Sequence, residues 1–302
     1  MFLRSSFPPL RSGMNRIDVT VLLSVLVMAF LLLLPACQRR IDSGARTQSV
    51  NNLKQIGLGM QSFHDFNKRF PFNGIAPGSK FKPEESALTY YGNAVTDSAT
   101  SGSWLFQILP FVDQQPMYHL SGVAESDTIP ASMHNTGVQT YMCPLRGRQA
   151  YANGKGPWSD YFINNYINDP VNASMPDNPD VKRTLLGIED GTSNTIFAGH
   201  GNIATTDYAK TNNVAGSSTI FVGGTQGTMR GGPAWVKGTP TRVPLQRDSA
   251  TPQPTGWGGP YPQGALMVWC DGTVRMVPYT ASPEVFGAYL TPIGAEEVAL
   301  PD

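Results

Sequence analysis

The sequence predicts an α+β fold in which one long N-terminal helix packs on an antiparallel β-sheet, with long loops and a C-terminal β-hairpin. Three patterns carry this reading. From Val19 to Leu34 every residue is apolar except Thr20 and Ser24, and at about 1.5 Å per residue such a helix, with its flanking turns, just crosses a hydrocarbon layer. Leu53, Ile56, Met60 and Phe63 then recur at three- and four-residue spacing, the stripe of an amphipathic helix. Finally, Ala265–Cys270 and Thr273–Val277 are apolar runs joined by Asp271-Gly272, a dipeptide suited to a type I′ hairpin turn because both residues tolerate positive φ.

Taken in order, residues 1–13 carry Arg4 and Arg11 without an acid, residues 14–36 read as a transmembrane helix, and residues 37–302 as one domain. Arg39 and Arg40, just past the span, leave its orientation open on charge alone. The two helical patterns join into a single helix from about Met14 to Asn67, on the order of 80 Å long and kinked at Pro35, where the missing amide and the ring clash loosen one turn. Gly44, Gly57 and Gly59 each weaken it by up to about 1 kcal/mol, so packing must support it; Pro71 ends it. Residues 72–102 read as a long loop rich in Gly, Asn, Ser and Thr. Trp104–Leu109 is a short helix or strand stopped by Pro110, and Asp113–Leu120 a helical turn. Val138–Met142, Tyr161–Ile167, Thr184–Ile188 and Thr195–Ala198 suit strands. In the hairpin, Met267 and Trp269 are expected to pack with Val274 and Met276. Ser282 is placed to cap a short helix beginning at Pro283 and carrying Phe286, Tyr289 and Leu290.

Composition narrows the chemistry. Lys plus Arg equals Asp plus Glu at 22 each, so the field that steers proteins onto nucleic acid is missing, and no nucleic-acid partner is expected. With 31 Gly and 25 Pro but 40% hydrophobic residues, the chain reads as loop-rich and not disordered. The three cysteines lie too far apart for a zinc ribbon or a Cys-x-x-Cys. Cys143 and Cys270 either form one disulfide outside the cytoplasm or stay as two buried thiols. Four scattered His show no His-Glu-x-x-His spacing, and there is no Gly-x-Ser-x-Gly elbow or phosphate loop, so no catalytic residues and no enzyme activity are expected. Gly57-Leu58-Gly59 lies inside a helical pattern and is not a dinucleotide fingerprint. The Asp190-Gly191-Thr192-Ser193-Asn194-Thr195 turn offers hard oxygens of the kind Ca2+ takes, against the plainer reading of a turn capped by its own side chains; no other cofactor or metal is expected.

Asp18 heads the apolar run, where a carboxylate costs a few kcal/mol unless a cation meets it. Counted from Gly13 as the last leader residue, Met14 becomes the first mature residue, Asp18 the fifth and Pro35 the twenty-second. These spacings resemble type IV pilins and pseudopilins, which carry Glu at position five and Pro at position 22. Further along, Asn51-Asn52-Leu53-Lys54-Gln55-Ile56-Gly57-Leu58, Phe63-His64-Asp65 with Phe70-Pro71, Ile108-Leu109-Pro110 with Gln114-Gln115, Cys143-Pro144, Asp190-Gly191 to Thr195, and Asp271-Gly272-Thr273-Val274-Arg275 appear in order. Together they resemble the prepilin-like DUF1559 proteins of planctomycetes. Two positions depart from that group: Ser49 stands where a Cys is common, and Tyr261 where the signature has His, ten residues before Asp271.

The resemblance implies a pilin-like fold and a single-pass inner-membrane protein, its N-terminus cytoplasmic and its bulk periplasmic. It implies cleavage and methylation at Gly13-Met14 by a prepilin peptidase, and assembly of a type IV pilus-like or type II secretion-like fibre with itself or other pilin-like subunits in membrane lipid. Asp18 would there neutralise the free amino group of Met14 on a neighbour. Two alternatives stay open: a membrane-tethered extracytoplasmic binding module that never polymerises, and a lipoprotein acylated at Cys37 within Leu34-Pro35-Ala36-Cys37.

Overall fold

The fold was obtained as a computed structural model that describes residues 16–73, 102–121, 131–168, 184–221, 227–232, 242–253 and 255–293, with the side chains of 16–18, 31–41, 119–121, 131 and 168 outside the description. The chain divides into two units, Met1–Gly44 and Ala45–Asp302. Helix α1 is assigned over Arg16–Asn67. In the first unit Val21, Leu22, Leu23, Val25, Leu26, Val27, Met28 and Phe30 are each 52–65% exposed. Among the described residues no helix is long and apolar enough to cross a membrane; the second half of the expected span, from Leu31, falls among the side chains outside the description. Most of the expected loop at 72–102 also lies outside the described residues.

The second unit is α+β. Its main sheet has the order β5-β3-β4-β6-β7, built from β3 (Tyr161–Asn164), β4 (Ile196–His200), β5 (Met229–Arg230), β6 (Gly264–Trp269) and β7 (Val274–Pro278). All neighbours are antiparallel except β3 and β5, which run parallel, so the sheet is mixed and not purely antiparallel. A small hairpin, β1 (Tyr151–Ala152) and β2 (Gly156–Pro157), stands apart from it. Short helices α2 (Trp104–Gln107), α3 (Gln115–Ser121), α4 (Asn165–Asn168) and α5 (Pro283–Ala288) complete the unit.

Both faces of the sheet are covered. On one, the α1 stripe of Leu53, Ile56, Met60 and Phe63, none more than 1% exposed, packs with Phe197, Tyr161, Leu266, Val268 and Cys270. On the other, Phe286, Tyr289 and Leu290 of α5 and the turn after it pack with Ile196, Ala265, Met267 and Trp269. Strand β6 is therefore buried at every position. At about 1.5–3 kcal/mol per fully buried large apolar side chain, the four stripe residues anchor this part of α1. Ser282 caps α5 as its sequence predicts, its Oγ accepting the Val285 N–H at 3.2 Å.

Several expectations are corrected. Met267 and Trp269 do not share a face with Val274 and Met276; the register Leu266↔Met276 and Val268↔Val274 puts the latter pair on the α1 side. The hairpin turn is not type I′. Gly272 N–H bonds the Trp269 carbonyl, Trp269 N–H bonds the Thr273 carbonyl, and positive φ is found at Gly272 (+83°) but not at Asp271. That is a three-residue loop closed by a left-handed bulge glycine. The run 138–142 makes a 3-10 turn at Gln139–Tyr141, since the following N–H, of Cys143, goes to the Asp160 carboxylate and not to a strand. The run 184–188 likewise turns at Leu185–Gly187, with the Leu185 N–H donated to His64 Nε2. The strand from Tyr161 stops at Asn164, whose side-chain oxygen accepts the Tyr166 N–H and opens α4.

Candidate functional site

Three sequence motifs meet at one joint. Gly57 of α1 lies against the hairpin turn so closely that a Cβ there would sit 2.9 Å from Val268 Cγ2 and 3.2 Å from Gly272 Cα. Gln61 Nε2 donates to the Asp271 carbonyl at 2.6 Å. Asp271 N–H in turn donates to Thr192 O at 3.0 Å, and Cys270 N–H to Thr195 O at 2.9 Å. The helical Asn-Asn motif, the Asp190 turn and the Asp271 turn are thus neighbours in space. Asn52 adds a bond from Nδ2 to Met142 O at 2.9 Å, Leu53 is core, and Gln55 Oε1 accepts Thr140 Oγ1 at 3.2 Å, while Asn51 and Lys54 face solvent.

The polar atoms of these motifs are occupied by each other. Asn194 Nδ2 donates to Asp190 O, and both Thr195 Oγ1 and Asn194 N–H donate to Gly191 O. Asp271 Oδ1 accepts the N–H and Oγ1 of its own Thr273. With Gly191 at φ +91°, the segment is a turn capped from within, its Asp190 and Gly191 carbonyls accepting from Asn194 and Thr195. Among the described residues no three His, Cys, Asp or Glu side chains converge on a metal position. Gly13 and Met14 lie outside the described residues; Asp18 falls within α1, its side chain outside the description.

Cys143 and Cys270 are both buried, and no disulfide joins them in this structure. Cys143 Sγ faces Ser49 Oγ at 3.4 Å and Tyr261 hydroxyl at 3.7 Å instead. The Tyr261 hydroxyl also reaches Ser49 Oγ at 2.8 Å and the Ala45 carbonyl at 3.0 Å, tying α1 to the sheet domain. Burial raises the Cys143 thiol despite the nearby Arg146, which keeps it protonated and unreactive.

Sequence reasoning missed a buried ionic cluster behind this joint. Arg146 is fully buried and meets Asp248 side-on, Nε to Oδ2 at 2.9 Å and Nη2 to Oδ1 at 3.3 Å, while its Nη1 lies 3.2 Å from Asp160 Oδ1. Arg148 Nη1 takes the same Asp160 oxygen at 2.6 Å, with its guanidinium 4.2 Å above the Trp158 ring. Asp160 Oδ2 accepts the Cys143 N–H at 2.8 Å; Asp248 accepts Ile203 N–H at 3.1 Å and Tyr208 hydroxyl at 2.6 Å. Arg230 lies 3.5 Å over the Phe162 ring and donates to the Met229 and Gly216 carbonyls. His200 Nδ1 accepts the Leu266 N–H at 3.2 Å, between the rings of Tyr161 and Tyr261.

Burial alone would raise the Asp160 carboxyl, but Arg148 and Arg146 hold it below its ordinary value. Burial, helped by Arg146, pushes the His200 imidazole down to about 3, so it is neutral. The partners are separated along the chain by up to 102 residues, and no periodicity announces such pairs. A cleft of about 230 Å³ is lined by Asn165, Arg230, Gly231, Gln253 and Thr255 among others. Among the described residues its lining includes no His, Cys, Asp or Glu.

A family model described as a protein of unknown function (DUF1559) matches residues 44–284, more than half of the chain. No curated protein and no solved structure gives a significant match.

Proposed function

The chain belongs to the DUF1559 family, and on that premise we propose that it is a membrane-anchored, prepilin-like structural subunit that assembles into a type IV pilus-like or type II secretion-like fibre. The observation that carries this reading is the apolar stretch of α1 from Val21 to Phe30, in which eight large side chains stand more than half exposed. Exposure of that kind is sustained only against lipid or neighbouring helices. The packed half of α1 supports the same assignment. Its motif glycines, Asn52 and Gln61 fix the helix onto the sheet, as a subunit carried on a rod requires.

In this reading residues 14–36 cross the inner membrane, the N-terminus is cytoplasmic and the domain extracytoplasmic. A prepilin peptidase cuts after Gly13, and Asp18 pairs with the amino group of Met14 on the next subunit, an ion pair made worthwhile by the low dielectric around it. The chain is not an enzyme. Mass spectrometry of the mature N-terminus tests the scheme. N-methylated Met14 is the expected result; an intact Met1, as a simple tether retains, or an acylated Cys37, as a lipoprotein acquires, overturns it. Asp18→Ala should leave the protein inserted but abolish subunit crosslinking in membranes.

A further inference from the structure

The cleft of about 230 Å³ lies where the parallel strands β3 and β5 end, for Asn165 follows β3 directly and Gly231 follows β5. Chains leaving neighbouring parallel strands diverge, and the crevice they open at the carboxyl ends is where such sheets hold ligands. Val243, Gln253 and Thr255 belong to the loop that forms the other wall. Three polar side chains of the lining are uncommitted. Among the described residues the Asn165 amide makes no hydrogen bond, nor do the exposed Gln253 amide and Thr255 hydroxyl. Asn165 Oδ1 is also buried, so a turn of its soft terminal torsion toward a donor in the cleft would relieve an unmet acceptor. The loop that presents the other two is fixed by its backbone: Gln253 N–H donates to Asn202 Oδ1 at 3.1 Å, and Gly256 N–H to the Gln253 carbonyl at 2.8 Å.

The lining selects the ligand. Arg230, whose charge could draw an anion, donates from Nε, Nη1 and Nη2 to the carbonyls of Gly256, Met229 and Gly216. The described lining holds no carboxylate or imidazole, so it offers a metal ion neither charge nor a strong ligand. Two amides and a hydroxyl, which between them donate and accept, stand beside the apolar Val243 and Pro244. Adjacent hydroxyls on a ring with a C–H face match that set.

We propose that the cleft binds one neutral sugar ring, its hydroxyls bonded to Asn165, Gln253 and Thr255 and its C–H face laid on Val243 and Pro244. At about 230 Å³ the space falls below the roughly 300–1,000 Å³ of sites for drug-sized ligands, so a single ring enters and the rest of a glycan stays outside. The site belongs to the sheet domain and holds whether or not the chain assembles into a fibre.

Saturation-transfer NMR on the full chain in a sugar-free detergent tests this, with the methyl glycosides of glucose, galactose, mannose and N-acetylglucosamine as probes. At least one should take up saturation on its ring protons. Gln253→Ala combined with Thr255→Val, both at exposed positions, should weaken its binding about tenfold, as two lost neutral hydrogen bonds would. Asn165→Leu should also lose binding while unfolding in urea no earlier than the wild type, since it removes the unmet acceptor. No transfer to any of the four sugars overturns the proposal, and so does unchanged affinity in the double variant, which would put the sugar elsewhere. If Asn165→Leu does not fold, the double variant decides alone.

Discussion

Lowering the pH from 7 to 5 should cost the folded domain about 2 kcal/mol through a single side chain, His200. Its imidazole ordinarily titrates near 6.5, and the folded interior pushes it down to about 3, by burial first and the Arg146 charge second. Below pH 6.5 the unfolded chain therefore binds a proton that the folded chain refuses. Stability falls with pH at up to about 1.4 kcal/mol per unit until the folded value is reached. Asp160 acts with the same sign at a lower pH. Its carboxyl is held below the ordinary range, so its contribution is present above that range and lost as pH falls through the folded value. The interval from 7 to 5 thus isolates His200 from Asp160. With a urea slope of about 2–3 kcal/mol per molar, the midpoint followed by tryptophan fluorescence should drop by roughly 1 M. His200→Asn should be less stable at pH 7 and lose this acid increment. Equal midpoints at the two pH values in the wild type, or an unaltered pH response in the variant, would refute the reasoning.

Other outcomes follow from the same contacts. Gly57→Ala should destabilise by about 1–3 kcal/mol in urea unfolding, because the new methyl meets Val268 and the Gly272 backbone, although helix propensity alone favours Ala by about 1 kcal/mol. Ser49→Cys should form a disulfide with Cys143 on mild oxidation, seen as a loss of two hydrogen atoms by mass; with the two positions 94 apart, loop closure would add at most about 4.7 kcal/mol. Arg146→Met should cost about 3–5 kcal/mol, since Asp160 and Asp248 would stay buried without their shared cation.

The elements legible in the sequence are those in which one side chain's burial repeats with the backbone period. Leu53, Ile56, Met60 and Phe63 were readable because they return to one helical face, and Ser282-Pro283-Glu284 because a cap is a local event. The hairpin was readable as a hairpin, but its internal facing was not: β6 is buried on both sides, so its side chains carry no alternation that tells one face from the other. The turn type depended on the Asp271 carboxylate finding Thr273, which dipeptide statistics do not contain. Arg146, Arg148, Asp160, Asp248 and His200 left no trace in periodicity. Each takes its meaning from a partner brought by tertiary folding, and a charged residue in a loop-rich stretch reads as solvated until that partner is seen. The motifs shared with the family were visible as strings, yet their convergence on one joint is a property of the fold.

Tyr261 closes that joint where the family signature has an imidazole. A phenol has nothing to gain or lose between mild acid and mild alkali, and burial moves its proton still further out of range. The clasp on Ala45 and Ser49 therefore keeps one protonation state while His200, a ring away, sets the acid limit of the domain. In this chain the clasp of Tyr261 on α1 is blind to the surrounding proton concentration across that interval.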